Sequence, residues 1–447
     1  MALTGRVALL ALAGVVPVAL APGWATLLGW ALLVLPSRAG VALVTGLVLT
    51  LAALDAALAG AVRDLRLERR GDRAVRLGED ARVAFVLANT GRRRVRGLAR
   101  DGWPPSAGDL TPRHVVDVAA GQQRRVTTTL RPTRRGDRRT ERVTVRSLGP
   151  LGLAARQAGL AAPGDLRVLP SFASRRHLPA KLSRLRELDG LARVRVRSQG
   201  TEFDSLRDYV DGDDVRSIDW RATARRQAGQ RLVVRTWRPE RDRRVLLVLD
   251  TSRTAAARVG DAPRLDAEMD AGLLLAALAA RAGDRVDLLA MDRRIRGRVE
   301  GVGRATLLPA LVATMAPLEA DLVEADWQAI VATVLRRLSR RALVVLLTAV
   351  ESASVEEGLL PVLPLLVARH EVVVASVTDP TVAGLARDRG DAYAVYGAAA
   401  AERAVLDRTA LVAELTRLGA DVVEGSPDEL PPRLADRYLA LKSAGKL

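Results

Sequence analysis

The 447-residue chain contains no cysteine, which excludes disulfides, thiolate metal sites and cysteine nucleophiles. Its three histidines, His114, His177 and His370, lie too far apart in sequence to suggest a histidine-rich metal cluster. Lysine is scarce as well. Lys181, Lys442 and Lys446 are the whole supply, and no G-x-x-x-x-G-K-[ST] phosphate loop occurs. Any dependence on ATP must therefore come from outside the chain. What remains is 49% hydrophobic and 27% charged, ordinary for a chain that buries a core, so disorder as the main state is excluded. At roughly 150 residues per domain, the length allows about three units.

Charge is missing locally at the start. Apart from Arg6, residues 1–37 carry none, and the run from Val7 to Pro36 exceeds the roughly 20 residues that cross a bilayer. Pro17 and the Pro22-Gly23 pair argue against one straight helix there, and Trp24 and Trp30 fit interfacial positions. A second run, Ala39 to Val62, is broken only by Asp55. A cleaved signal peptide is the competing reading, but a second apolar run follows and no A-x-A site precedes a polar mature start. The expectation for residues 1–62 is two transmembrane helices, with a three-segment or re-entrant arrangement as the rival. Arg63, Arg66, Arg69 and Arg70 crowd the exit of the second run, against Arg38 alone in the linker. The positive-inside rule then places everything after residue 62 in the cytoplasm, on a cell (inner) membrane anchor.

The formal net charge is +18, and most of the excess falls in residues 63–168, with 24 arginines against 11 acids. Anionic lipid would attract such a surface by about 1 kcal/mol per well-placed basic residue. Nucleic acid is the sharper alternative, weakened because Phe85 and Trp103 are the segment's only aromatic stacking platforms. A plain solvated arginine-rich surface is the third reading. Short alternating bursts such as Arg82–Leu87, Val115–Val118, Val126–Leu130 and Val143–Val145 are punctuated by Asn89-Thr90-Gly91, Pro104-Pro105, Gly121 and Arg135-Gly136-Asp137. This spacing predicts an antiparallel β-sandwich of immunoglobulin-like kind over 63–168, acting as a binding or spacer module.

From residue 242 to 447 the pattern alternates strands with helices. Val245–Leu249 is a continuous apolar strand ending at Asp250, and a helix over 264–282 follows, with Leu265, Met269, Leu273, Leu274 and Leu278 as its apolar positions. Asp266 and Glu268 are the acids expected in its first turn, where they suit the helix dipole. Further strands are expected at Val286–Met291, Ala342–Leu347, Val372–Val377 and Asp421–Glu424, with helices around 305–315, 325–340, 354–368 and 402–418. Fully apolar strands alternating with helices predict an α/β fold with a doubly wound, mostly parallel sheet, whose ligands gather at the carboxyl ends of the strands.

At that end stands Asp250-Thr251-Ser252-Arg253-Thr254. Hard oxygen side chains at i, i+2 and i+4 suit Mg²⁺, directly or through water. The run resembles the D-x-S-x-S/T metal-ion-dependent adhesion site of von Willebrand factor A domains, where a partner's carboxylate completes the metal. That resemblance implies Asp250, Ser252 and Thr254 as first-loop metal ligands and Thr306 as a ligand from a second loop. The family's aspartate after the fourth strand is replaced by Ala349, and Glu351 is the nearest stand-in. The plainer alternative is that Asp250 and Ser252 cap the loop and helix. A phosphohydrolase of the haloacid dehalogenase type is disfavoured, since its second aspartate would be Ser252.

The densest signal is residues 200–225, GTEFDSLRDYVDGDDVRSIDWRATAR, within a segment (169–241) expected to pack on the α/β domain. The EF-hand spacing is not met. Paired carboxylates of a glycoside hydrolase are not excluded by spacing alone. Yet each acid has an arginine nearby, as in an ion-paired structural motif or a docking surface, with Tyr209 and especially Trp220 expected to anchor it to the sheet. The stretch resembles the signature of the bacterial family labelled domain of unknown function 58, G-x-E-F-D-x-L-R-x-Y-x-x-G-D-D-x-R-x-I-D-W. The matching residues are Gly200, Glu202, Phe203, Asp204, Leu206, Arg207, Tyr209, Gly212, Asp213, Asp214, Arg216, Ile218, Asp219 and Trp220. Gly149-Pro150-Leu151-Gly152-Leu153 and His370 through Asp379-Pro380 extend the likeness. Such proteins look like membrane-anchored von Willebrand A-like partners of MoxR-type AAA+ ATPases, with no catalytic activity established.

The combined expectation is a non-enzymatic adaptor that docks an ATPase or its client near Asp250 and the 200–225 motif, with Mg²⁺ as its one implied cofactor. Its rivals are a cell-envelope hydrolase using paired carboxylates and a protein that binds lipid or nucleic acid through its basic β-domain.

Overall fold

The computed structural model describes residues 2–13, 37–195, 202–211, 213, 215–225, 232–238 and 243–447. The chain forms two compact units, Met1–Leu169 and Pro170–Leu447.

In the first unit, most of the expected first crossing, including Pro17, Pro22, Gly23, Trp24 and Trp30, lies outside the described residues. The second run is a helix, Ser37–Leu58. The stretch Val41–Asp64 is long and apolar enough to cross a membrane. Leu43, Leu47, Leu54 and Leu58 stay exposed along it, as a lipid-facing surface would. Asp55, the lone acid of the run, is fully buried. Its Oδ1 accepts the Leu151 N–H at 2.7 Å, and its Oδ2 accepts those of Leu153 at 2.7 Å and Ala154 at 2.9 Å. The Arg156 Nε donates to the Ala56 carbonyl at 2.8 Å beside it. Gly149 is required at this turn because a Cβ there would come within 2.3 Å of the Asp55 carboxyl.

The strands of this unit form two sheets. Leu65–Gly71, Ala81–Asn89 and Gln123–Leu130 make a three-stranded antiparallel sheet. Val95–Asp101, Arg113–Val118, Gly136–Leu148 and Ala154–Leu169 pair antiparallel in the other, joined by short strands at Ala2–Leu3 and Ala74–Arg76, the latter parallel. Alternation drives the assembly: Phe85 and Leu87 of one sheet share a core with Ala99, Val116, Val143 and Val145 of the other. Inside, Arg69 makes a bidentate pair with the buried Asp101, at 2.8 and 2.6 Å, and Trp103 Nε1 donates to the same carboxylate at 2.9 Å.

The second unit is built on a six-stranded sheet. Its strands are β1 (Arg244–Asp250), β2 (Arg285–Met291), β3 (Ile295–Val299), β4 (Leu343–Leu347), β5 (Glu371–Val377) and β6 (Asp421–Gly425). The order is β3-β2-β1-β4-β5-β6, parallel throughout except for β3, which runs antiparallel to β2 at the edge. One face carries Trp327, Ile330 and Val334 of helix Trp327–Arg337 and Leu411 and Leu415 of helix Ala392–Arg417. The other is covered by α1 (Arg264–Arg281), whose Gly272 lies so close that a Cβ would sit 3.0 Å from Leu347 Cδ1. Continuous apolar strands buried on both faces are what parallel pairing demands. Helix Leu178–Arg195 and helix Leu430–Ser443 lie together beside α1, tied by Lys181 to Asp436 at 2.7 Å.

Candidate functional site

The sheet reverses its winding between β1 and β4, the place where a crevice forms at the carboxyl ends of parallel strands. Asp250 ends β1 there, and Thr348 follows β4. Thr348 Oγ1 donates to Asp250 Oδ2 at 2.6 Å across this point. Asp250 Oδ1 accepts the Ser252 N–H at 2.8 Å, and Thr254 Oγ1 donates to Oδ2 at 3.3 Å. The Ser252 and Thr254 hydroxyls lie 3.1 Å apart. The sequence-predicted triplet is therefore brought together around one carboxylate. Ser252 also precedes the short helix Arg253–Ala256 as its N-cap, but its side chain makes no capping bond.

All of these groups are buried, Asp250 at 1% exposure and Ser252 at 0%. Burial pushes the Asp250 carboxyl up, while hydrogen bonds from Thr348, Ser252 and Thr254 pull it back. The rim of the site is exposed: Arg253 pairs there with Glu324. The neighbouring loop over 316–326 is held by backbone bonds, from the Asp321 N–H to the Thr251 carbonyl at 2.8 Å and from the Arg253 N–H to the Val323 carbonyl at 2.9 Å.

Thr306 is not part of this cluster. Strand β3 returns antiparallel from Ile295 opposite Met291 to Val299 opposite Leu288, carrying the chain back toward the amino ends of β1 and β2. Gly301 N–H then bonds Asp287 Oδ1 at 3.2 Å, and Thr306 sits exposed on the Gly303 carbonyl at 3.2 Å. The loop that does approach Asp250 is 316–326, which offers carboxylates rather than threonine. Ala349 is buried, and the stand-in Glu351 is engaged by Arg264 Nη1 at 2.5 Å, which also donates to the Thr254 carbonyl at 2.9 Å.

One residue of the site escaped the sequence reading. Glu268, in the second turn of α1, is fully buried, and neither carboxyl oxygen has a partner. Burial and the Asp250 charge push its carboxyl up to about 8, with Arg264 opposing. The signal was a carboxylate on the apolar stripe of α1, three residues after Leu265 and five before Leu273, rather than on its solvent face. Among the described residues no group of three or more Asp, Glu or His is arranged to hold a metal. The Asp250 carboxyl with the hydroxyls of Ser252, Thr254 and Thr348 gathered around it is a hard-oxygen set of the kind that suits a small divalent cation. Asp250, Ser252, Thr254 and Thr348 would hold it, and its charge would neutralise the buried Asp250 carboxylate.

The 200–225 motif builds a hairpin. Glu202–Asp208 pairs antiparallel with Val233–Arg238, with a bulge between Phe203 and Ser205. Arg207 Nη2 bonds Asp213 Oδ1 at 2.6 Å, and Asp213 Oδ2 accepts the Val210 N–H at 3.0 Å. Asp219 heads helix Trp220–Arg225: its Oδ1 accepts the N–H groups of Arg221 and Ala222, each at 3.0 Å, and its Oδ2 takes Arg235 Nε at 2.7 Å. These bonds, the Ala222 one foremost, hold its carboxyl below the usual range. Gly212, Gly200 and Asp214 lie outside the described residues, and of Glu202 and Asp204 the structure places the backbone. Arg216 is exposed. Trp220 does not serve as an anchor; it is 65% exposed, and Tyr209 is half-buried, its N–H on the Leu232 carbonyl. The buried apolar contact is instead Ile218, bridged to Val234.

Residues 205–413 match the family model described as protein of unknown function DUF58. No curated protein matches the chain. Among solved structures, a CARDB domain from Pyrococcus furiosus, crystallised with di-metal ions, aligns at 20% identity and TM-score 0.19, over 24% of this chain and 87% of that one. The PapD-like domain 7 of human CEP192 aligns at 15% identity and TM-score 0.14, over 23% and 84%. A β-glucosidase from Listeria innocua aligns at 15% identity and TM-score 0.15, over 24% and 16%.

Proposed function

We propose that this chain is a membrane-anchored docking protein without catalytic chemistry of its own. Its α/β unit has von Willebrand A-like character and engages a MoxR-type AAA+ ATPase or that ATPase's client, on the cytoplasmic side of the membrane. The observation that carries the reading is the Thr348–Asp250 bond at the winding reversal of a β3-β2-β1-β4-β5-β6 sheet with an antiparallel edge. It sets a D-x-S-x-T loop where such domains present their docking face. The partner class comes from the resemblance of the 200–225 signature. Burial of both carboxyls, Asp250 and Glu268, favours docking over hydrolysis, because a substrate would have to reach them. Docking then falls to the exposed rim, Arg253 and Glu324.

The test is affinity purification of tagged full-length protein from detergent-solubilised native membranes, beside a variant carrying Asp250→Ala and Asp219→Ala. Recovery of an AAA+ ATPase with the wild type and its loss from the variant is the expected result. No ATPase under any nucleotide condition would overturn the reading. A reporter fused after residue 447 checks the side of the membrane, and an external signal would reverse the orientation.

A further inference from the structure

Within the first unit, the apolar N-terminal region and the β-domain meet at one turn, Gly149–Leu153. Residues 5–13 are helical, and just before them Thr4 gives its N–H to the Leu153 carbonyl at 3.0 Å and its hydroxyl to the Gly152 carbonyl at 2.8 Å. The helix Ser37–Leu58 reaches the same turn through Asp55. Val7 packs with Ala52 and Ala56 beside it. A bilayer crossed by the long apolar helix has its boundary at this turn, where the exposed leucines end and the β-domain begins.

Three guanidinium groups converge on that level. Arg156 Nε donates to the Ala56 carbonyl at 2.8 Å, and Arg93 Nη1 donates to the carbonyl of the next residue, Ala57. Arg6 lies over the turn itself, since a Cβ on Gly152 would come within 2.9 Å of its Nη1. None of the three is paired with an acid among the described residues. Asp55 already accepts three amides, and with its charge counted the cluster stays positive. A carbonyl cap uses one of a guanidinium's five N–H groups, so most of the donors remain open. Beside them the surface turns apolar. Leu151, in the middle of the same turn, is 52% exposed, and Leu54 and Leu58 of the helix end are exposed too.

We infer that Arg6, Arg93 and Arg156 hold the phosphate of an anionic phospholipid at the helix exit, with Leu54, Leu58 and Leu151 against its acyl chains. Open cationic donors bordering aliphatic side chains match a phospholipid's own division into headgroup and tail. Arginine suits the task because its planar fork gives two N–H groups to two phosphate oxygens. The site is distinct from attraction of the arginine-rich domain as a whole, because it is three side chains fixed at one helix end. It rests on the membrane-anchored part of the reading above and not on docking.

Delipidated full-length protein in neutral detergent is titrated with phosphatidylglycerol or, separately, phosphatidylcholine, and retained lipid is counted by native mass spectrometry. The wild type is expected to retain phosphatidylglycerol in preference to phosphatidylcholine. Arg6→Gln and Arg156→Gln are each expected to weaken that retention about fivefold. Arg6 makes no hydrogen bond among the described residues, so its loss leaves the fold intact. Arg134→Gln with Arg139→Gln removes two exposed charges near Gly136, at the far end of strand Gly136–Leu148, and should leave retention unchanged. Equal retention of the two lipids overturns the inference, as does unchanged retention in Arg6→Gln. Equal weakening by the far-end pair also overturns it, since the domain's overall charge would then be the cause. Release of the chain from native membranes by alkaline carbonate would overturn the anchored reading and this inference with it. A chain that resists extraction yet holds no phosphatidylglycerol fails only this inference.

Discussion

Asp55 and Leu153 are 98 residues apart in sequence, yet the Asp55 carboxylate accepts the Leu153 N–H at 2.7 Å inside a fully buried contact. With the bonds from Leu151 and Ala154, this one side chain pins the Gly149–Leu153 turn of the β-domain to the last turn of the apolar helix. Hydrogen bonds to a charged group are each worth about 1.5–3 kcal/mol. Asp55→Ala is therefore expected to destabilise the first unit by roughly 3 kcal/mol or more, whereas Asp55→Asn, able to accept at one oxygen only, falls between. Urea unfolding of the solubilised full chain, read with hydrogen exchange at the Leu151, Leu153 and Ala154 amides, checks this. Unchanged exchange at those three amides in Asp55→Ala would contradict it.

How far the sequence could be read depends on which force set each element. Continuous apolar runs announced β1, β4 and β5, because strands buried on both faces have no other composition open to them. Strand β3 was invisible: Ile295-Arg296-Gly297-Arg298-Val299 has an edge strand's polarity and no apolar run. Missing β3 also misplaced Thr306, since the antiparallel return sends the following loop to the opposite end of the sheet. Asp55 read as a flaw in a membrane segment, because its three donors are backbone amides nearly 100 residues away and leave no side-chain pattern. Glu268 passed as a helix-dipole acid, although its place on the apolar stripe gave it away.

His370 offers a pH dependence with a definite sign. It is buried at the start of β5, and neither ring nitrogen has a partner. Burial first, then the charges of Arg369 and Arg341, push its imidazole below the ordinary 6.5. The unfolded chain takes up a proton near that value while the folded chain still refuses one, so stability is present above it and is lost as the pH falls further. Glu268, pushed up to about 8, works in the opposite sense over the same range, so the sign is read from a difference. The urea midpoint of the wild type relative to that of His370→Leu, which removes the titrating group, should fall between about pH 7 and pH 5. A difference that stays constant over that range would contradict the prediction.

The hairpin motif separates two residues that look equally important in sequence. Trp220, the larger and more conspicuous, is 65% exposed, so Trp220→Ala should change stability by no more than about 0.5 kcal/mol. Asp219, its neighbour, ties a helix to a strand: it caps the helix that Trp220 begins, takes Arg235 from strand Val233–Arg238, and gives its own N–H to the Val233 carbonyl of that strand. Asp219→Ala should therefore be the more costly change, and faster hydrogen exchange at the Arg221 and Ala222 amides should mark where the cap has gone. Arg235→Gln should reproduce only part of the loss, because the two amide bonds remain. Should Trp220→Ala prove the more damaging of the pair, the tryptophan is an anchor and the prediction fails.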